Sequence, residues 1–115
     1  MKKPKPKTVS KPWGKFIEYA TNKKVTVKII HVKKGGKLSL QSHRHRAEFW
    51  IALDEGLTVL VNGRKKRLKK GETAFVPRKA KHRVIASKNA RFLEIAYGKF
   101  DEKDIKRFED VYGRA

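Results

Sequence analysis

The sequence predicts an all-β fold: a single barrel or sandwich of short strands, with one short helix at the C-terminal end. Three observations lead there. Runs rich in Val, Ile, Thr and aromatic residues recur at intervals of roughly 8–12 residues, the spacing of sandwich and barrel strands. Gly, Pro and Asn separate these runs. One separator, Asn62-Gly63, lies between two strand-like runs, the strongest short-range hairpin signal in the chain.

The first clear strand is Val25–Val32, where Val25, Val27 and Ile29 occupy alternate positions, and Gly35-Gly36 ends it. Leu38 and Leu40 then point one way while Ser39, Gln41 and His43 point the other. That polar face meets either water or a functional cavity. Phe49–Leu53 is apolar enough for a buried strand, and Gly56 closes it. Leu57–Val61 and Arg64–Leu68 flank the Asn-Gly turn. Gly71 opens another turn, Thr73–Val76 reads as a strand, and Pro77 stops it. His82–Ala86 and Arg91–Tyr97 follow. At the end, Asp101 is a helix-cap residue with Glu102 and Asp104 in the first turn. Ile105, Phe108, Val111 and Tyr112 then suggest a short amphipathic helix packed on the barrel.

With 115 residues, the chain supports one domain with one core. Residues 1–10 are rich in Lys and Pro and read as a flexible tail, which leaves 11–115 as the domain. The tail lacks the apolar middle of a signal peptide, and no apolar run reaches the length of a membrane span, so a cytoplasmic location is expected. Cysteine is absent, so any metal must sit on nitrogen and oxygen donors. The net charge of +20 attracts anions. It is spread along the whole chain without a nucleic-acid-binding motif, so a solvated lysine-covered surface is the plainer reading and nucleic acid is not expected as a partner. The basic run Arg64–Arg67 fits a charged hairpin strand.

Chemistry concentrates in Gln41-Ser42-His43-Arg44-His45-Arg46-Ala47-Glu48, with His82 downstream. Gln41, His43 and His45 share a strand parity, whereas Glu48 has the opposite one. A turn at Arg44–Ala47, with re-entry on a neighbouring strand, would bring Glu48 inward again. Such donors suit one divalent ion with positions open for substrate. His43 and Glu48 are the firmest ligands. Gln41 and His45 compete for a further position, and ligand chemistry alone favours His45. His31 lies apart from the cluster and is assigned to structure. Trp50 shares the parity of Glu48, so it points inward; Trp13 is expected to pack against the barrel.

Gly36-x6-His43-x4-Glu48 followed by Gly71-x5-Pro77-x4-His82 resembles the two motifs of the cupin superfamily. The usual His-x-His pair falls at Gln41 and His43, with Gln in place of the first His, as in type II mannose-6-phosphate isomerases. Lys11-Pro12-Trp13-Gly14, the segment Leu38–Trp50, Pro77-x4-His82-Arg83 and the ending Arg107-Phe108-Glu109-Asp110-x-Tyr112-Gly113-Arg114 are similar to that family too. The second motif usually carries Gly two residues after Pro, where this chain has Lys79.

The resemblance implies a cupin double-stranded β-helix, or jelly roll, with a metal on Gln41, His43, Glu48 and His82. Zinc is the first choice of ion, and iron, manganese, cobalt or nickel suits the same donors. It implies interconversion of mannose 6-phosphate and fructose 6-phosphate through an enediolate, and a homodimer. His45 is then the first candidate for the base and Glu94 the second. Arg83 is the candidate to stabilise the enediolate or the phosphate, and Arg78, Lys79 and Lys81 are candidates for the substrate phosphate. The competing reading is a non-catalytic cupin that binds a sugar or sugar phosphate.

Overall fold

Eleven strands and no helix make up residues 3–114, which the computed structural model describes. They are β1 (Lys7–Lys11), β2 (Gly14–Glu18), β3 (Val25–Val32), β4 (Leu40–Ser42), β5 (Arg46–Ala52), β6 (Leu57–Val61), β7 (Arg64–Leu68), β8 (Thr73–Val76), β9 (His82–Ala86), β10 (Ala90–Gly98) and β11 (Lys106–Glu109). β1 and β2 form a separate hairpin. The others build two antiparallel sheets in the orders β3-β10-β5-β8 and β11-β4-β9-β6-β7. The expected all-β jelly roll is what forms. Among the described residues, no helix is long and apolar enough to cross a membrane.

Several turns take the shape their residues dictate. Asn62 and Gly63 both have positive φ, 48° and 79°, as a two-residue hairpin turn requires, and join β6 to β7. Gly36 is dictated by space: a Cβ there would lie 2.8 Å from the Lys33 carbonyl oxygen and 2.9 Å from Val32 Cγ1. Lys79 adopts φ 67°, the left-handed region that glycine enters freely and lysine enters at a cost of about 1 kcal/mol.

The core fills the space between the two sheets. Trp50, Phe92, Leu57 and Leu68 are among its fully buried side chains, each contributing about 1.5–3 kcal/mol through burial. Along four strands the inward-facing positions change from apolar to polar at the same end of the sandwich. Trp50 gives way to Glu48 and Arg46 on β5, Phe92 to Glu94 on β10, Val84 to His82 on β9, and Ile30 to Lys28 on β3. The apolar length holds the sheets together, and the polar end lines a cavity.

Two expectations are corrected. The C-terminal helix does not form: residues 106–109 make β11, paired with β4 along the sheet edge. Asp101 caps a turn instead, its carboxylate accepting from the Lys103 N–H at 2.9 Å and its carbonyl from the Asp104 N–H at 2.9 Å. The unpaired edge of β4 offers a full hydrogen-bonding row, which outweighs a weak helical periodicity over so few residues. Trp13 does not pack on the core either. It sits at the tip of the β1–β2 hairpin, 75% exposed, away from the space between the sheets. That hairpin begins at Lys7, inside the stretch read as tail, and Met1, Lys2 and Ala115 lie outside the described residues.

Candidate metal centre

His43, Glu48 and His82 converge from three parts of the fold. β4 ends at Ser42, the chain bends through Arg44 and His45, and β5 begins at Arg46 in the opposite sheet. This crossing restores Glu48 to the inward face despite its odd offset from His43. His82 opens β9, directly opposite Gln41 on β4. One ligand atom from each of His43, Glu48 and His82 lies within 4.8 Å of the others, and all three side chains are buried. Gln41 lines the same cavity of about 210 Å³, as do Arg46, Trp50 and Glu94. A wider groove of about 650 Å³ past Asn62, Thr73 and Pro77 contains no carboxylate or imidazole, so chemistry selects the smaller cavity.

Hydrogen bonds fix the two imidazoles. His43 Nδ1 lies 2.7 Å from the Asp104 carbonyl oxygen, and His82 Nδ1 lies 2.9 Å from that of Ala80. A carbonyl only accepts, so each Nδ1 carries the hydrogen and each Nε2 presents a lone pair. Those lone pairs face Glu48, with His43 Nε2 3.3 Å from Oε2 and His82 Nε2 3.8 Å from Oε1. Burial lowers the pKa of both histidines, which keeps them neutral. Burial alone would raise the pKa of Glu48; His82 and His43 oppose this only when they carry charge, and with both neutral a hydrogen bond from Glu94 and the Arg46 guanidinium favour the carboxylate. The result is two neutral imidazoles and a carboxylate aiming electron pairs at one point. A cation relieves that arrangement, and a nitrogen–oxygen donor set without thiolate suits a divalent metal. The residues present therefore fit a metal ion. Gln41 donates its amide N–H to the Ser39 carbonyl at 3.4 Å, leaving its amide oxygen as the available ligand atom.

Three further residues shape the centre. Arg46 Nε donates to Glu48 Oε2 at 3.0 Å, and its Nη2 reaches His43 Nε2 at 3.3 Å. Trp50 donates its indole N–H to Glu48 Oε1 at 3.1 Å. Glu94 is pushed up to about 8, first by burial, then by the Glu48 charge and their shared hydrogen bond. The raised pKa favours the protonated form of Glu94, which avoids a second negative charge beside Glu48. Arg46 was not singled out from sequence, although it lies two residues before Glu48 and so shares its face.

The remaining candidates lie elsewhere. His45 is exposed, donates its backbone N–H to Asp104 Oδ2 at 2.9 Å, and does not line the cavity. Arg83 is buried on the other face of β9, where Nε donates to the Leu38 carbonyl at 2.8 Å and Nη1 to Glu109 Oε2 at 3.0 Å. Its bonds fasten β11 to the sheet. Arg78, Lys79 and Lys81 occupy the exposed turn between Pro77 and His82, outside the cavity lining. Lys79 N–H donates to the His43 carbonyl at 2.7 Å, and Lys81 Nζ sits 4.2 Å from the centre of the Phe108 ring.

Comparison with known proteins agrees with this architecture. The family model for the mannose-6-phosphate isomerase C-terminal domain matches residues 2–110. Mannose-1-phosphate guanylyltransferase ManC of Salmonella typhimurium is 37% identical over 109 residues, which cover 92% of this chain and 23% of the relative. Alginate biosynthesis protein AlgA of Pseudomonas aeruginosa is 35% identical, with the same two coverages of 92% and 23%. The chain thus spans about a quarter of the length of these relatives. Among solved structures, the capsular polysaccharide assembling protein CapF of Staphylococcus aureus superposes with a TM-score of 0.67 at 13% identity, over 92% of this chain and 35% of that one. An RmlC-like cupin of Shewanella frigidimarina gives a TM-score of 0.64 at 17% identity, over 78% and 76% of the two chains. The fold is that of the cupins, and the chain belongs to the family of the mannose-6-phosphate isomerase C-terminal domain.

Proposed function

We propose that the chain is a metal-dependent aldose–ketose isomerase that interconverts mannose 6-phosphate and fructose 6-phosphate. The observation that carries the reading is the convergence of His43, Glu48 and His82 in one cavity beside a protonated Glu94. Gln41, His43, Glu48 and His82 would hold the ion, which when bound supplies Lewis acidity to the sugar oxygens on carbons one and two. Isomerisation moves a proton between those carbons through an enediolate.

Glu94 is the proton shuttle in this scheme. It lines the cavity, whereas His45 does not; with its pKa raised to about 8 it would first release its own proton to solvent, then as a carboxylate take the proton from one sugar carbon and return it to the other. Arg46 places a guanidinium beside Glu48 and His43, where it can stabilise the negative charge of the enediolate. Trp50 holds Glu48 in place and closes the apolar side of the cavity against water. The protein is proposed to act in the cytoplasm as a homodimer. The exposed Val27 and Ile29 on the outer face of β3 are an apolar surface suited to a second copy.

Arg46 also favours a second reading, a cupin that binds a sugar phosphate without turning it over. Its guanidinium already neutralises Glu48 and touches the His43 lone pair, doing part of the work of a cation. The two readings separate in a proton NMR assay of fructose 6-phosphate conversion, using protein stripped of metal and reloaded with each divalent ion. Isomerase activity restored by metal and absent in His43→Ala supports the enzyme. Folded, metal-loaded protein that binds the sugar phosphate without producing mannose 6-phosphate supports the binding module.

A further inference from the structure

We propose that Arg107 and Ser39, which line the cavity, hold the phosphate of the substrate at its β11 side, rather than Arg78, Lys79 and Lys81, which lie outside the lining. The inference rests on the isomerase reading for the identity of the sugar, but its evidence concerns the anion. Among the described residues, two buried side-chain polar atoms have no hydrogen-bond partner: Ser39 Oγ and Arg107 Nε. Both residues line the cavity that contains His43, Glu48 and His82. Ser39 is 1% exposed, so its hydroxyl cannot be satisfied by bulk water. Buried unpaired donors are rare in folded proteins, and two in one small cavity point to an acceptor that arrives with the ligand.

Strand register shows how one molecule would reach both ends. Arg107 on β11 lies directly opposite Gln41 on β4, and Gln41 lies opposite His82 on β9. Residues opposite one another share a face, so Arg107, Gln41 and His82 form a row across three strands. Each strand step is about 5 Å. The guanidinium therefore stands one strand beyond a proposed metal ligand, a separation that an extended sugar phosphate spans. Ser39, two residues before Gln41, falls on the same side.

Charge bookkeeping points to the same residue. Arg46 is paired with Glu48, Arg83 with Glu109, Lys28 with Glu102 and Arg114 with Asp110. The Arg107 guanidinium has no carboxylate partner among the described residues, so its positive charge is uncommitted beside the cavity. A guanidinium with a free Nε edge offers paired N–H donors, the geometry that grips phosphate oxygens.

The test is calorimetric titration of the full, metal-loaded chain with fructose 6-phosphate and with inorganic phosphate, alongside KM where turnover occurs. Arg107→Met should weaken fructose 6-phosphate at least tenfold and abolish phosphate binding, with metal stoichiometry and thermal midpoint unchanged. Arg107→Lys should restore part of the affinity, and Ser39→Ala should lose a smaller, several-fold share. The combined R78A, K79A and K81A variant should change affinity less than threefold. Unaltered binding in Arg107→Met, loss confined to the triple variant, or no phosphate or sugar-phosphate binding by the parent chain overturns the inference. Arg107-dependent binding without turnover leaves it standing and removes the isomerase reading. Turnover with a KM indifferent to Arg107→Met removes the inference alone.

Discussion

The main-chain carbonyl of Asp104 accepts the Nδ1 hydrogen of His43 at 2.7 Å, so the segment that follows the last long strand orients an imidazole of the candidate metal centre. The Asp104 carboxylate fastens the same contact from the other side, accepting from the N–H groups of Arg44 and His45 at 2.9 Å each. Some desolvation raises its pKa, but those two N–H groups and the nearby histidines outweigh it and keep the carboxylate ionised. Asp104→Ala should loosen the turn that carries His43. The expected outcome is metal affinity weaker by about tenfold and stability lower by about 1 kcal/mol. Metal titration and urea unfolding read the two effects separately, and an unchanged metal affinity would show that the carbonyl alone orients the ring.

Glu94 sets a pH dependence in metal-free protein. Its folded pKa is about 8 against an ordinary 4.5, so the folded chain binds its proton more tightly than the unfolded chain does. That contribution to stability is fully present below pH 4.5 and is lost as pH rises through 8. His43 and His82 have the opposite sign. Burial lowers both from 6.5, so their cost falls as pH rises and is gone above about 6.5. Between pH 6.5 and 8 the Glu94 slope stands alone among these groups. Urea midpoints should fall across that window in the parent chain and stay flatter in Glu94→Gln. An equal decline in both proteins would refute the assignment.

Glu48 and Arg46 form a buried pair at 3.0 Å, with side chains 2% and 7% exposed. Removing the carboxylate charge strands the guanidinium beside two imidazoles. Glu48→Gln should therefore destabilise metal-free protein by about 3 kcal/mol. A shift below 1 kcal/mol in chemical unfolding would mean that Arg46 turns out to solvent when its partner is lost.

Lys79 predicts the opposite direction. Lys79→Gly removes the side chain from a left-handed backbone while keeping the N–H bond to the His43 carbonyl. The gain should be up to about 1 kcal/mol, a rise of a few degrees in the thermal midpoint. A fall would show that the Lys79 side chain makes contacts worth more than the strain.

Much of this was legible from residues because local rules and tertiary structure agree. Alternation placed β3 at Val25–Val32, and the Asn62-Gly63 turn set both strands of the β6–β7 hairpin. The spacing of His43, Glu48 and His82 in the sequence already implies a shared site. The C-terminus was not legible, because β11 is a strand only by virtue of the open edge of β4. Ile105 and Phe108 carry a helix-like interval that edge pairing overrides. That misreading also hid Arg107, whose place beside Gln41 exists only in the strand register. Arg83 follows a candidate ligand in sequence yet faces away, since adjacent residues on a strand point to opposite sides. Arg46 was within reach of the same parity rule that placed Trp50.

The most direct measurement is the metal content of protein dialysed against each divalent ion, for the parent chain and for His43→Ala, His82→Ala and Glu48→Gln, with folding checked by circular dichroism. The expected result is one ion per parent chain and less than a tenth of that in each variant. No bound ion in the folded parent chain, or full occupancy retained in all three variants, would contradict a metal centre at His43, Glu48 and His82.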